Sequence, residues 1–424
     1  MNESDYRLVE VGPDRAEEYW GIVQWSFGAP SSPAEVERRR RSLDWSRTVG
    51  CETCAGTGPG RLVAVSTSWR FDLPVPGGRT PAAGLTWVGV HPERRRQGLL
   101  RALIARHLAD CARRGEPVSV LTAAEAPIYP RFGYGQAIDR VELTIPSRAG
   151  LISLPGSERI AVELVDAEAE RWSDQVESIH QQAGQGPWAR PGWVPCVTSG
   201  MVEEHFEDLP EHRGQAETLK LALAYREGRP SGYAFFQRTP KWVHGRAVGA
   251  AQINELVALD PLSAHALWER MLDLDLVEQV TSPLHLPVDD PILDWLVDPR
   301  CAQPRWGDAV WLRLVDLPAA WAARRLSAPV DLVLEVTDQL IEANAGRWRL
   351  VGGPDRTSLT RTDQAPDLSL DIKELGRLYL GGGSVGALAQ AGLITASDRS
   401  DPAALARLDA ACHHWLAPGL TRLF

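Results

Sequence analysis

Residues 87–101 read Trp87-Val88-Gly89-Val90-His91-Pro92-Glu93-Arg94-Arg95-Arg96-Gln97-Gly98-Leu99-Leu100-Arg101. An apolar, β-branched run from Leu85 to Val90 stops at Pro92, which cannot continue a central strand. A basic turn follows and closes on Gly98. Beyond it Leu99, Leu100, Leu103, Ile104 and Leu108 recur at helical spacing. A strand that feeds a glycine turn and then a helix gathers free backbone N–H groups at the helix start. The helix dipole adds partial positive charge there, so the turn suits a phosphate or pyrophosphate. Arg94, Arg95 and Arg96 add fork-shaped cationic donors for the same anion.

The spacing separates this turn from other phosphate loops. No G-x-x-x-x-G-K-[ST] occurs, and no G-x-G-x-x-G opens a helix with an acidic residue some 20 positions on. The pattern is V-x-P-x-x-R-x-x-G, from Val90 through Pro92 and Arg95 to Gly98. It resembles the acetyl-CoA-binding motif of the GNAT acyltransferases. That resemblance implies that Arg95, Arg96, Gln97, Gly98, Leu99 and Leu100, with Arg101 beside them, surround the CoA pyrophosphate. Leu100 departs from the pattern, because most GNAT proteins carry Gly or Ala there.

Composition sets the outer bounds. A chain of 424 residues suggests two to four domains, and 44% hydrophobic with 24% charged residues is ordinary for a globular protein. A net charge of −10 argues against a general nucleic-acid binder and is compatible with cationic substrates. There is no 18-residue apolar run and no basic-then-apolar leader, so no membrane partner and a cytoplasmic location are expected. Six cysteines spread over this length do not form a secreted disulfide framework. Cys51 and Cys54 form a C-x-x-C without a second pair, and His413-His414 lacks ligand-spaced partners, so it reads as a helix-surface pair; no metal site is expected.

Residues 1–150 alternate strand and helix. Tyr6–Val11 reads as a strand, and Asp14–Trp25 as a helix with Asp14 as N-cap. Pro33–Leu43 reads as an Arg-rich helix, Arg61–Phe71 and Gly84–Val90 as strands, and Arg140–Ile145 as one late strand. Residues 147–156 look like a linker. Residues 151–308 repeat the style, with Asp166 as a helix N-cap, but after the strand Ala251–Ala258 comes Leu259-Asp260-Pro261 in place of an Arg-x-x-Gly turn. Asp260 would repel a pyrophosphate, so this unit is expected not to bind CoA. From 309 to 424 a compact α+β unit is expected, beginning with the strand Trp311–Val315 and ending on a helix over Pro402–Trp415.

Three stretches point to a narrower resemblance. They are Trp87–Arg101, the run Ala124-Glu125-Ala126-Pro127-Ile128-Tyr129-Pro130-Arg131-Phe132-Gly133-Tyr134-Gly135, and Trp311–Ala320 with Leu375–Gly381. Together they resemble the Eis family of N-acetyltransferases over essentially the whole chain. The resemblance implies an α/β (α+β) protein with tandem GNAT folds, the second degenerate, followed by a sterol-carrier-protein-like domain. It implies acetyl-CoA as co-substrate, Ala124 and Glu125 among its contacts, and a trimer-based homo-hexamer.

Amine acetylation needs a neutral amine, a polarised thioester carbonyl and a proton for the leaving thiolate. Val88 and Val90 lie on the strand whose backbone would pair with the pantetheine arm, and Gly89 between them would allow close approach. Tyr129 follows the strand Val118–Leu121 by a short loop, and a phenol with a pKa near 10 keeps its proton at pH 7. The resemblance gives Tyr129 the role of general acid and assigns the base to the carboxylate of Phe424. Tyr134 reads as a packed residue. Phe27 is a candidate substrate contact. The family's pocket carboxylates have no match here, since Ser26-Phe27 is followed by Gly28-Ala29 and residue 423 is Leu, while the following helix carries Arg38–Arg41. Aminoglycosides, mono-amines, amino acids and amine-bearing natural products therefore stand equal as acceptors. A rival reading, a non-catalytic carrier of lipids, rests on the sterol-carrier-like unit.

Overall fold

The computed structural model describes residues 5–28, 33–54, 60–194, 199–397, 401, 403–420 and 422. The chain opens with β1 (Tyr6–Glu10), α1 (Ala16–Phe27), α2 (Pro33–Ser42), β2 (Val49–Thr53), β3 (Leu62–Val75), β4 (Gly78–Val90), α3 (Leu99–Arg114), β5 (Val118–Leu121) and β6 (Gly135–Glu142). Strands β1 to β4 are antiparallel neighbours, and the crossover through α3 makes β4 and β5 parallel. That parallel pairing covers only Ala82–Gly84 against Val118–Val120. Beyond Gly84, β4 keeps β3 on one side and parts from β5 on the other.

Two local expectations fail here for simple reasons. β3 and β4 run longer than read, because the turn is the pair Pro76-Gly77 with Gly77 at φ 70°, the left-handed position that follows proline in a type II turn. Pro74 is tolerated in β3 because β2 covers only Leu62–Ser66, so no neighbouring strand asks position 74 for an N–H, and its carbonyl accepts from Gly192 N at 2.8 Å. Asp14 does not cap α1: it lies in the 3₁₀ turn Pro13–Arg15, and Arg15 occupies the cap without a side-chain bond.

The second unit contains β7 (Thr144–Pro146), β8 (Ala161–Asp166), α4 (Ala169–Ala183), α5 (Ser199–His205), α6 (Pro210–Arg213), β9 (Lys220–Arg226) and β10 (Arg229–Thr239). A two-residue hairpin, β11 (Trp242–Val243) and β12 (Arg246–Ala247), precedes β13 (Gly249–Ala258), α7 (Pro261–Leu272) and β14 (Val277–Thr281). Its sheet order, β8-β9-β10-β13-β14 with β7 outside, repeats the first, including a parallel last pair across a helix. The single strand expected over Arg140–Ile145 breaks at Leu143, where the chain leaves the first sheet as β6 and enters the second as β7. Asp166 is the last residue of β8, so Glu168, not Asp166, stands at the cap of α4.

The remainder comprises β15 (Leu286–Pro287), α8 (Ile292–Trp295), β16 (Arg305–Leu314), α9 (Leu317–Ala323), β17 (Val330–Thr337), β18 (Gly346–Gly352), β19 (Thr357–Arg361), β20 (Leu368–Asp371), α10 (Ile372–Tyr379), α11 (Val385–Gln390), β21 (Ile394–Ala396) and α12 (Ala404–Cys412). Strand β16, read as the start of the third unit, belongs to the first sheet, where it inserts antiparallel between β5 and β6. The third unit has its own sheet, β19-β18-β17-β20-β21. His413-His414 lies past α12 and not on it: His413 ends that helix, and His414 Nδ1 turns back to the Leu416 backbone.

One apolar core joins the first and third units, running from Trp69 and Phe71 through Leu312 and Leu314 to Leu375 and Tyr379. Helix α10 seats on the first sheet through two glycines. A Cβ on Gly135 would stand 1.9 Å from the Lys373 carbonyl oxygen, and one on Gly376 would stand 2.5 Å from that of Leu312. Beside them Arg313 of β16, fully buried, donates to both carboxylate oxygens of buried Asp338 at 2.7 and 2.6 Å. Removing one partner of such a pair strands a buried charge. Asp338→Ala is therefore expected to cost about 3–5 kcal/mol of unfolding free energy in denaturant titration.

Candidate active site

Where β4 leaves β5, the sheet opens into a cavity of about 1020 Å³. Its floor is the free edge of β4, with Val88 and Val90 lining it. A bulge past the split, where Thr86 faces Thr67 but Gly89 faces Val65, leaves Trp87 in left-handed backbone at φ 50°. Such a conformation costs on the order of 1–3 kcal/mol for a non-glycine residue and persists only where packing enforces it. The packing is an aromatic box: Trp87 meets Trp20 edge-on at 5.2 Å and Phe27 at 5.8 Å, and the Arg39 guanidinium lies 5.1 Å from its ring centre.

At one end of the cavity α3 begins. Gly98 caps it at φ 81° with no side-chain hydrogen bond, so the first-turn N–H groups of Leu99, Leu100 and Arg101 are left to the cavity that these residues line. Arg94, Arg95 and Arg96 line the same end, with Arg96 itself in left-handed backbone. Uncapped amides, a positive helix end and guanidinium groups fit a diphosphate. Ala124 and Glu125 also line the wall.

Two residues expected at the cofactor point elsewhere. Alternation along β4 turns Gly89 towards α1, where a Cβ would stand 2.6 Å from Ser26 Oγ; its close approach is to that helix and not to the cavity. Gln97 accepts a hydrogen bond from Tyr6 at 2.5 Å and is not among the lining residues.

Tyr129 and Tyr134 divide clearly. Tyr129 is half-buried on the cavity wall, and burial, with Glu125 nearby, pushes its phenol up to about 12. It keeps its proton throughout the neutral range. Tyr134 is fully buried and bonded to Ser119 Oγ at 2.8 Å, which in turn meets His107 Nε2 at 2.8 Å. The two rings touch edge-on at 5.9 Å, so Tyr134 braces Tyr129 from behind.

Sequence reading missed the cavity's far wall. Arg140, Leu284, His285 and Asp308 come from β6, the β14–β15 link and β16, and Met201 and Glu204 come from α5. These segments lie from 39 to more than 200 residues beyond the motif, and no local pattern announces them. The cavity holds three carboxylates, Glu125, Glu204 and Asp308, beside seven arginines, so it is arginine-rich as the sequence suggested, with Glu204 and Asp308 as acidic groups the sequence did not point to. Arg140 is held by the carbonyls of Asp308 and Leu284, and Asp308 accepts from Trp311 Nε1 at 2.7 Å. Burial and the nearby Arg140 push His285 down to about 4, so its imidazole is neutral at pH 7. Phe27 lines the cavity as expected, whereas Phe424 lies outside the described residues. In the C-x-x-C, Cys51 is buried within β2, its thiol raised to about 12 by burial, while Cys54 is exposed.

A parallel pair that splits beside a bulged strand, over an uncapped helix start, defines the GNAT class of acetyltransferases. Comparison with known proteins agrees: acetyltransferase (GNAT) domain families match residues 7–137 and 201–314, and a sterol carrier protein domain matches residues 317–418. An uncharacterized N-acetyltransferase of Streptomyces coelicolor is 35% identical over 385 residues, covering 89% of this chain and 90% of its own. N-acetyltransferase Eis of Mycobacterium tuberculosis is 33% identical over 376 residues, 84% of each chain. The crystal structure of Eis1 from Mycobacterium abscessus superposes with a TM-score of 0.80 at 29% identity, covering 99% of this chain and all of the other. The chain belongs to the Eis family of N-acetyltransferases, with acetyl-CoA as the co-substrate its fold implies.

A direct check is Gly98→Asp, which sets a carboxylate at the helix start. Acetyl-CoA affinity by calorimetry should fall roughly 100-fold, the scale of lost charge-assisted hydrogen bonds with a like charge added. The paired change of Arg95 and Arg96 to Glu should do the same without straining the Gly98 backbone.

Proposed function

We propose that this enzyme transfers the acetyl group to a primary amine of a small molecule by direct attack within a ternary complex. The observation that carries the reading is the single cavity in which the α3 start, the free edge of β4 and Tyr129 meet an aromatic, partly acidic wall. Acetyl-CoA supplies the activated acyl group. Backbone N–H groups of β4 near Val88 polarise the carbonyl, and the Tyr129 hydroxyl donates its proton to the departing sulfur. The carboxylate of Phe424 takes the proton that the amine loses, directly or through water. Phe27, Trp69 and Trp87 favour an acceptor with an apolar or aromatic body, and Glu204 and Asp308 favour its ammonium group. Amino acids, mono-amines and amine-bearing natural products fit that description as well as aminoglycosides do. A trimer-based hexamer, carried over from the family, and a cytoplasmic location are parts of the same proposal.

The tests follow the two proton carriers. Tyr129→Phe should retain acetyl-CoA affinity but lower kcat by about 10²–10⁴-fold, the range for a positioned general acid, while Tyr134→Phe should do much less. Equal, small losses in both would return Tyr129 to packing.

Appending several residues after Phe424 should abolish transfer while leaving acetyl-CoA binding and Tm unchanged. Full activity in the extended chain would contradict the terminal-carboxylate base. His285, the neutral imidazole on the far wall, would then be the group to replace.

A further inference from the structure

The second fold repeats the first element by element: β8, α4, α5, β9, β10, β13, α7 and β14 stand for β1, α1, α2, β2, β3, β4, α3 and β5. Both cofactor-side and acceptor-side halves can thus be located in it. The cofactor side is blocked, because the Asp260 carboxylate accepts from Leu262 N and Ser263 N and so fills the α7 start that an anion would need. The acceptor side is different. In the first fold it is bounded by α1, α2, β3 and β4; its counterpart is bounded by α4, α5, β10 and β13. Strand β13 even keeps a bulge beside Asn254, where Ile253 faces Phe236 and Glu255 faces Phe235, just past the end of its parallel pairing with β14.

That counterpart is filled from the far end of the chain. Arg422, 2% exposed, donates to Glu255 of β13 at 3.2 Å, Glu177 of α4 at 2.9 Å and the Tyr233 hydroxyl of β10 at 3.2 Å. His180 of α4 and His205 of α5 complete the surround, within 3.9 and 3.6 Å of the Glu255 carboxylate. Burial and Arg422 itself hold His180 well below its usual range and His205 at about 3, so both rings are neutral at pH 7. Upstream, the tail is pinned again: Arg190 donates to Ala417 O at 2.7 Å, Gly419 N donates to Pro191 O at 3.0 Å, and Leu420 is fully buried. Helix α5 is the partition between this cluster and the cavity: His205 faces Glu255, whereas Met201 and Glu204 line the cavity. From Arg422, two further residues reach at most about 7 Å.

We propose that the second fold retains the acceptor half of an acetyltransferase site as a clasp for its own carboxyl-terminal segment. Arg422 is the guest and Glu177, Tyr233 and Glu255 are the hosts. Arg422 is a positioning residue: by fixing the chain two residues short of Phe424 it delivers that residue to the first fold's cavity. The delivery half rests on the terminal-carboxylate reading above; the clasp does not.

The test uses the full-length protein and reads the clasp and its effect separately. Carboxypeptidase release of the last residues reports the clasp; kcat, acetyl-CoA affinity and Tm report its effect. Glu177→Gln with Glu255→Gln, which leaves the tail intact, should speed carboxypeptidase release. Arg422→Ala should lower kcat on the order of 100-fold, the scale of a lost buried ion pair, with acetyl-CoA affinity unchanged. Arg422→Lys should retain part of that kcat, whereas millimolar guanidinium, far below the molar range that unfolds proteins, should refill the site without tethering the tail and so should not restore it. A merely structural arginine would move Tm and acetyl-CoA affinity together, and free guanidinium would restore both. Unchanged carboxypeptidase release in the Glu double variant overturns the clasp. Faster release with undiminished kcat upholds the clasp and overturns its delivery of Phe424, while the terminal-carboxylate reading falls separately, to full activity in the chain extended past Phe424.

Discussion

Every functional feature of this enzyme depends on three residues of parallel pairing. Strands β4 and β5 share only Ala82–Gly84 with Val118–Val120 before they part. Had the pairing continued, the β4 edge would be spent on β5 and no cavity would exist. The parting is enforced from both sides. Trp87, clamped by Trp20, Phe27 and Arg39, bends β4 at its bulge, while β16 takes the other edge of β5 through Trp311–Leu314 and holds it to β6. Backbone hydrogen-bonding capacity freed by the split becomes the chemical resource of the site.

The first unit is therefore not self-sufficient. Its sheet is completed by β16, a strand more than 180 residues after β5 in the chain, and its core runs on into the third unit through Leu312, Leu314, Leu375 and Tyr379. The glycine-mediated seat of α10 and the buried Arg313–Asp338 pair lock that arrangement. The sterol-carrier-like unit thus acts on the active site as a scaffold: its apolar helix faces are committed to the shared core. The acidic and imidazole groups of the far wall exist only because the second unit and β16 fold back against the cavity.

What could be read from the sequence was whatever is local. The motif Val90–Gly98, the helix Leu99–Arg114 and the strand Val118–Leu121 follow from periodicity, proline and glycine, and Asp260 stands at the start of α7 in place of a glycine turn. Tyr129, on the short loop after β5, was equally visible. The site's far wall was not. Glu204, His285 and Asp308 carry no pattern of their own, and their place follows from which strand inserts where, a property of the assembled sheet. Asp14 and Asp166 looked like caps because residue type alone cannot tell whether a 3₁₀ turn or a strand end intervenes. Gly89 had the right residue type but the wrong face, since alternation along β4 was not carried through to its neighbour Ser26. Arg422 has no sequence signal at all; its meaning comes from the repeat into which it inserts.

The central claim is that thioester and amine meet in one cavity and react without a covalent enzyme intermediate. Initial rates of CoA thiol release, measured while acetyl-CoA and the best acceptor from an amine panel are varied independently, test it most directly. A ternary complex predicts intersecting double-reciprocal lines, and no acetyl label retained by the protein when acceptor is withheld. Parallel lines, with stoichiometric acetyl-enzyme isolated in the absence of amine, would contradict it.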